Sequence, residues 1–244
     1  MKKLILATAA MALTASMAFA DGHSTTVRMG TEGAYPPYNF INDAGEIDGF
    51  ERDVGDELCK RAGLTCEWVK NDWDSIIPNL VSGNYDTIIA GMSITAERDE
   101  VIDFTQNYIL PEDSAYVAAS ADADLTGGVI AAQTATIQAG YIASSGATLV
   151  EFATPEETLA AVRNGEADAV LANKEYLAPL VEESGGALIF VGDPVPLGGG
   201  VGMGLRESDG ELREKFNAAI TSMKADGSLN VLLVKWFGEG IQTY

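Results

Sequence analysis

Apolar positions along the chain follow two alternating patterns: short continuous runs that suit buried strands, and longer stretches with helical spacing. Val27-Arg28-Met29-Gly30 opens as a short strand. Thr31 to Tyr38 follows as a loop in which Gly33, Pro36 and Pro37 prevent regular structure. After a hairpin-like turn at Asp43-Ala44-Gly45-Glu46, Gly49-Phe50-Glu51 leads into a helix reaching about Ala62. Val54, Leu58 and Cys59 share one face of it, and Gly63 stops it. Thr65 to Lys70 alternates as a strand. Asp74 is placed to cap a helix running through Val81, with Ile77, Leu80 and Val81 apolar and Pro78 at the limit of its first turn. Thr87-Ile88-Ile89-Ala90 then reads as a buried strand that breaks at Gly91. This β-α-β-α-β order predicts a parallel sheet with helical crossovers.

Ile109 to Ser114, which contains Pro111, interrupts the pattern, and a second set of elements begins. Tyr116 to Ala119 and Val129 to Ala132 read as strands, and Gln133-Thr134-Ala135-Thr136 as a polar turn opening a helix. Thr154-Pro155-Glu156-Glu157 combines an N-cap, a proline at the first helical position and a capping-box glutamate. Its helix ends at Gly165. Ala169-Val170-Leu171 and Leu188 to Val191 are further strands. Pro194 to Gly200 is a second breaker cluster, followed by a strand from Val201 to Leu205. Ser208 with Glu211 predicts a capping box for a helix carrying Leu212, Phe216, Ala219 and Met223 on one face. Leu229 to Phe237 is the last helix. The pattern is that of an α/β protein in two units, residues 25–110 with 200–244 and residues 114–195. Two chain crossings between them make a hinge over a cleft.

Composition refines this picture. The 244 residues are 47% hydrophobic, enough for a real core. Lys2-Lys3, an apolar stretch from Leu4 to Met17 and Ala18-Phe19-Ala20 identify residues 1–20 as a secretory signal peptide, too short for a membrane span. No cysteine follows the cleavage site, so no lipid anchor is expected there, and the chain reads as soluble, exported and periplasmic. Without Lys2 and Lys3, 13 basic residues face 36 acidic ones, a net charge of −23, which argues against nucleic acid and anionic membrane surfaces as partners. In an oxidising compartment Cys59 and Cys66 are expected to pair. That bridge would staple the end of a helix to the start of a strand and contribute roughly 2.5 kcal/mol. The single histidine, His23, lies in the N-terminal tail. Neither a zinc set nor a histidine-dependent nucleophile can be assembled, and no metal or cofactor is expected.

The segment with most chemistry is Asn84 to Phe104. Its buried strand ends in Gly91, Ser93 and Thr95 and then in Arg98. Ligands of α/β folds sit beyond the carboxyl ends of the strands, where backbone N–H groups are free. An arginine there offers a planar fork that matches a carboxylate. The segment is therefore expected to grip a small carboxylate.

Tyr35-Pro36-Pro37-Tyr38, Gly49-Phe50-Glu51, Asp72-Trp73-Asp74 with Ile77-Pro78, and Tyr85-Asp86 through Ala90-Gly91-Met92-Ser93-Ile94-Thr95 to Glu97-Arg98 resemble the family 3 extracellular solute-binding proteins of polar amino-acid ABC transporters. So do Asp168-Ala169-Val170-Leu171, Lys224-Ala225-Asp226-Gly227 and Lys235-Trp236-Phe237-Gly238. The match spans nearly all of the mature chain, and the Cys59/Cys66 spacing resembles the members that bind lysine, arginine, ornithine and histidine. The resemblance implies a two-lobed type II periplasmic binding protein, each lobe a mostly parallel sheet flanked by helices, joined by two hinge strands. It implies a monomer that binds an amino-acid-like ligand in the interlobe cleft and delivers it to an inner-membrane ABC permease.

Residue by residue, the resemblance makes Tyr35 and Trp73 the aromatic walls around the ligand side chain and Arg98 the clamp on its α-carboxylate. Ser93 and the backbone at Gly91 become neutral partners of the ligand head, and Thr136 a second-lobe donor to the carboxylate. Glu32 and Glu51 fall where basic amino-acid binders place aspartates toward the distal end of the ligand. Asn173 departs from the family's usual aspartate, which pairs with the α-ammonium; an asparagine supplies no charge. Either the ammonium is balanced elsewhere, by Glu32 for example, or the ligand's nitrogen is substituted or absent. The alternative from the enzyme class is a cyclohexadienyl-dehydratase-like lyase on the same fold, with Glu32, Glu51 and Lys174 as candidate acids. A third is the sensory input of a receptor, against which stands the chain's end at Tyr244 without a membrane segment.

Overall fold

The computed structural model describes residues 26–244. The expected signal peptide at residues 1–20 and His23 lie outside the described residues. The first lobe opens with β1 (Val27–Thr31) and a small antiparallel sheet of β2 (Ala34–Tyr35), β3 (Asn39–Ile41) and β4 (Ile47–Asp48). Helix α1 (Phe50–Ala62) follows, burying Phe50, Val54 and Leu58. Gly49 precedes it at φ 119°, and a Cβ at that position would lie 2.6 Å from the Tyr38 carbonyl oxygen, so only glycine fits. Gly63 ends it in the left-handed conformation. The Cys59–Cys66 disulfide then joins the last turn of α1 to β5 (Cys66–Lys70).

Asp74 does not cap a helix. It lies inside a 3-10 turn, Trp73–Ser75, and α2 (Ile76–Val81) starts behind Ser75 without a side-chain cap. The buried Trp73 side chain anchors this turn, and packing outweighs the capping preference. Strand pairing of β6 (Thr87–Ile88) stops two residues earlier than the apolar run, although Ile89 still donates to the Gly30 carbonyl at 2.9 Å. Helix α3 (Ala96–Asp99) is capped by Thr95, whose hydroxyl accepts the Arg98 N–H at 3.2 Å, and β7 (Asp103–Phe104) follows.

The second lobe comprises β8 (Asp113–Ala118), β9 (Val129–Gln133), α4 (Ile137–Ser145), β10 (Thr148–Phe152), α5 (Pro155–Asn164), β11 (Ala169–Asn173), α6 (Lys174–Glu183) and β12 (Ile189–Pro196). The capping box of Thr154 and Glu157 is present in full at the start of α5. Asp113 and Ser114 belong to β8, and Pro194 to Pro196 continue β12 past an irregularity between Val191 and Val195, so both breaker clusters are partly strand. The prolines are tolerated because β12 is the edge of its sheet.

The chain returns to the first lobe through β13 (Gly204–Leu205), α7 (Gly210–Ala225) and α8 (Ser228–Phe237). Ser208 does not cap α7: its hydroxyl donates to the Asp209 carboxylate at 3.1 Å, and Asp209 holds the N-cap position without a side-chain capping bond to the helix. Both helices lie against α1, through Arg61 to Asp226 and Lys235 to Asp53. Two five-stranded sheets result, ordered β5-β1-β6-β13-β7 and β10-β9-β11-β8-β12. In the first only β13 runs against its neighbours, in the second only β8. The crossing segments between the lobes are bonded to each other: Tyr108 donates to the Val201 carbonyl at 2.8 Å and Val201 to that of Ile109 at 3.0 Å.

Candidate functional site

The carboxyl ends of β1, β6, β9 and β11 converge on one cavity between the lobes. Gly91 and Ser93 follow β6 and form its floor. Gly91 takes φ +60°, a conformation that favours glycine, and its N–H is held by the Glu51 carboxylate at 2.6 Å.

Arg98 reaches the cavity from α3. Its guanidinium donates to the Ser93 carbonyl at 2.8 Å and, across the cleft, to the Ala135 carbonyl at 3.3 Å. It lies over the Trp73 ring at 5.3 Å from the centroid. Among the described residues it forms no ion pair, and burial pulls its pKa down to about 10 against the smaller opposing pull of Glu97. A desolvated guanidinium bonded only to carbonyls is a site prepared for an anion. Thr136 lines the same wall but is engaged: it caps α4 through the Ala139 N–H and donates to the Gln133 carbonyl at 2.6 Å.

Glu32 extends from the end of β1 and is 5% exposed. It accepts a 2.6 Å bond from the Gln133 side chain of the other lobe. Burial raises its pKa to about 7, with Asp72 and Glu51 pushing the same way and Gln133 and Lys70 opposing. Tyr35 stacks on Tyr176 of the second lobe, ring centroids 4.2 Å apart, and its hydroxyl pairs with Asn173, donating to Oδ1 at 3.1 Å and accepting the backbone N–H at 3.2 Å. Trp73 is buried in the opposite wall, and its indole N–H has no partner among the described residues.

The structure brings Glu32, Tyr35, Trp73, Gly91, Ser93, Arg98, Thr136 and Asn173 to one cavity. Glu51 is a correction. It does not line the cavity but is fully buried beneath it, accepting from Asn39 at 2.7 Å, from Gly91 and from the Tyr108 hydroxyl. Its position in the first turn of α1 points it into the lobe, where three donors satisfy it, and burial still raises its pKa. Lys174 does not line the cavity either, so Glu32 is the only one of the three candidate acids that does. Two polar lining residues went unrecognised in the sequence, Gln133 and Gln138. Gln133 ends an apolar strand as Glu32 and Asn173 do, which was a usable signal. Gln138 sits inside α4 and gives none; its amide donates to Ser114 at 3.0 Å and to Asn173 at 3.1 Å.

The sequence profile of the bacterial extracellular solute-binding proteins, family 3, matches residues 27–239. The chain is 33% identical over 247 residues to the ABC transporter arginine-binding protein 1 of Escherichia coli K12, covering 97% of this chain and 99% of that protein. It is also 33% identical to the L-arginine-binding protein of Pseudomonas aeruginosa, with 97% of each covered. A crystal structure of a periplasmic His/Glu/Gln/Arg/opine family-binding protein from Silicibacter pomeroyi, in complex with lysine, superposes with a TM-score of 0.89 at 82% identity, covering 90% of this chain and 100% of that one. With a two-lobed fold, an arginine lining the cleft and a family match over most of its length, the chain belongs to the family 3 bacterial extracellular solute-binding proteins.

Proposed function

We propose that the protein is the periplasmic receptor of an ABC importer and binds a basic amino acid, or a derivative of one, in the interlobe cavity. The observation that carries this is the pairing of opposite charges in one cleft: Arg98, without an ion partner, and Glu32, buried and bonded only to a glutamine. The α-carboxylate goes to Arg98, the alkyl chain runs between Tyr35 and Trp73, and a cationic group meets Glu32. The relatives named for arginine, and the relative crystallised with lysine, support the class. Residues 25–110 with 200–244 act as one lobe and 114–195 as the other. Contacts such as Glu32–Gln133, Tyr35–Asn173 and Arg98–Ala135 bridge them only when the cleft is shut, so ligand contacts to both sides favour closure. The protein then binds without chemistry and hands its ligand to a membrane permease.

A thermal-shift panel of lysine, arginine, ornithine and histidine against acidic and apolar amino acids tests this. A ligand at a hundred times its dissociation constant adds about 2.7 kcal/mol, on the order of 5–10 °C for a chain of this length. A melting curve that no basic amino acid or N-substituted derivative moves overturns the proposal. Turnover of a bound compound, followed by mass spectrometry, would instead indicate the lyase.

A further inference from the structure

The two chain crossings between the lobes are tied to the segment that follows the cavity floor. Ile94 exchanges two backbone bonds with the second crossing: its N–H donates to the Gly200 carbonyl at 2.8 Å, and its carbonyl accepts the Gly199 N–H at 2.9 Å. That crossing also pairs with the first, through Val201 with Tyr108 and Ile109. Backbone bonds therefore lead from beside the cavity residue Ser93 to both crossings.

Asn107 adds a side-chain tie to this pivot. It stands on the first crossing, and its amide NH2 donates to the Gly199 carbonyl of the second at 3.3 Å. Its side-chain oxygen accepts the Tyr244 hydroxyl at 2.9 Å and the Lys224 ammonium at 3.4 Å. Tyr244 is held in turn by Asn230 of α8, which donates to its carbonyl at 2.9 Å and accepts its N–H at 3.0 Å. Lys224, near the end of α7, lies 3.9 Å from the centroid of the Tyr244 ring and donates to the Gln106 side chain at 3.0 Å. Burial lowers its pKa, the mark of a cation partly stripped of water, and both of its hydrogen-bond partners are neutral. Asn107, Lys224 and Tyr244 all stand outside the cavity lining.

Building on the solute-binding reading above, we infer that Asn107 is a positioning residue for ligand binding: with Tyr244 and Lys224 it locks the two crossings to each other and to α7 and α8, so that the lobes turn about one fixed pivot. Closure selects a single orientation of the lobes. Crossings locked together leave the open protein few orientations, whereas crossings that twist independently leave many. The additional orientations are conformational entropy that closure has to remove. The lock thus strengthens binding without touching the ligand.

Two measurements on the mature chain test this in Asn107→Ala, Asn107→Asp and Tyr244→Phe. Asn107→Asp keeps the acceptor for Tyr244 and Lys224 and loses the donor to Gly199. Tyr244→Phe loses the hydroxyl and keeps the ring over Lys224. The first measurement is the distance distribution between nitroxide labels on the exposed positions Val101→Cys and Glu183→Cys, one on each lobe. Without ligand it should be about twofold broader in Asn107→Ala and Asn107→Asp than in the otherwise wild-type chain, and saturating L-lysine should make the distributions equal. The second is calorimetric titration with L-lysine, in which both Asn107 variants should bind about three- to tenfold more weakly, with the loss in the entropy of binding. Tyr244→Phe should weaken binding on its own and add less than twofold to Asn107→Ala, because the two act as one unit. A ligand-free distribution as narrow in the Asn107 variants as in the wild type overturns the inference, even where their affinity falls. Full additivity of Asn107→Ala and Tyr244→Phe removes Tyr244 from the lock. A wild type that binds no basic amino acid defeats the proposed function, and the ligand-free distance distributions still decide the pivot.

Discussion

The Glu51 carboxylate holds the backbone N–H of Gly91 at 2.6 Å, so the floor of the ligand cavity hangs from a buried acid that never faces the ligand. The other bonds to Glu51 come from Asn39 and Tyr108, which ties the small sheet and the hinge segment to the same point. Replacing Glu51 by alanine leaves three buried donors unsatisfied. A loss of about 3 kcal/mol follows, or roughly 6–12 °C in melting temperature for a chain of this size. Calorimetric or circular-dichroism melting of Glu51→Ala without ligand checks this; an unaltered transition would mean the three donors find other partners.

Arg98 behaves in the opposite way. In the ligand-free protein it is a desolvated cation with carbonyls as its only hydrogen-bond partners, so Arg98→Ala is expected to leave the empty protein's melting temperature unchanged or slightly raised. Binding should weaken about a hundredfold, the equivalent of one charge-assisted, two-pronged contact with a carboxylate. Arg98→Lys should recover only part of that, because an ammonium cannot reproduce the fork. Isothermal titration of the three proteins separates the outcomes, and normal affinity in Arg98→Ala would remove it from the site.

Glu32 makes binding depend on pH. Its pKa in the empty cavity is raised to about 7, chiefly by burial, whereas a cationic ligand requires the ionised form. Affinity should be flat above pH 7 and fall toward tenfold per pH unit below it. In the absence of ligand the sign is reversed for stability. A carboxyl with a raised folded-state pKa contributes stability that is complete below the ordinary carboxylate range and is lost as pH rises through about 7. Glu32→Gln should flatten both profiles and lower affinity for lysine. A pH-independent dissociation constant in the wild type between pH 5.5 and 8 would refute the assignment of the ligand cation to Glu32.

These assignments were unequally visible in the sequence. Arg98 and Ser93 could be read directly, because a polar turn following an apolar strand is a local pattern. The Cys59–Cys66 bridge and the Thr154–Glu157 capping box are also local, seven and three residues apart, and both form. Glu51 could not be read correctly, since the partners that bury it lie 12, 40 and 57 residues away and only the folded lobe brings them together. Asp74 and Ser208 failed as caps for a related reason: burial of Trp73 and the turn at Asp209 decide where those helices begin. Asn173 was visible as a departure, but the direction of its amide was not, because Gln138 and Tyr35 set it from other elements.

Tyr176 carries the last prediction. It stacks on Tyr35 at 4.2 Å with the rings 11° from parallel, joining α6 of the second lobe to β2 of the first without lining the cavity. Such a stack contributes about 0.5–1.5 kcal/mol beyond the area it buries, and it exists only while the lobes are together. Tyr176→Ala should therefore shift the ligand-free equilibrium toward the open form by roughly two- to tenfold. Apparent affinity falls with the binding-competent fraction, so the dissociation constant rises by up to the same factor although no ligand contact has been removed. Small-angle scattering of the ligand-free protein should show a larger radius of gyration for Tyr176→Ala, and saturating ligand should erase the difference. Tyr176→Phe, which keeps the ring, should resemble the wild type in both measurements. If Tyr176→Ala weakened binding while scattering stayed unchanged, the ring would act by shaping Tyr35 as a wall of the cavity and not by holding the lobes together.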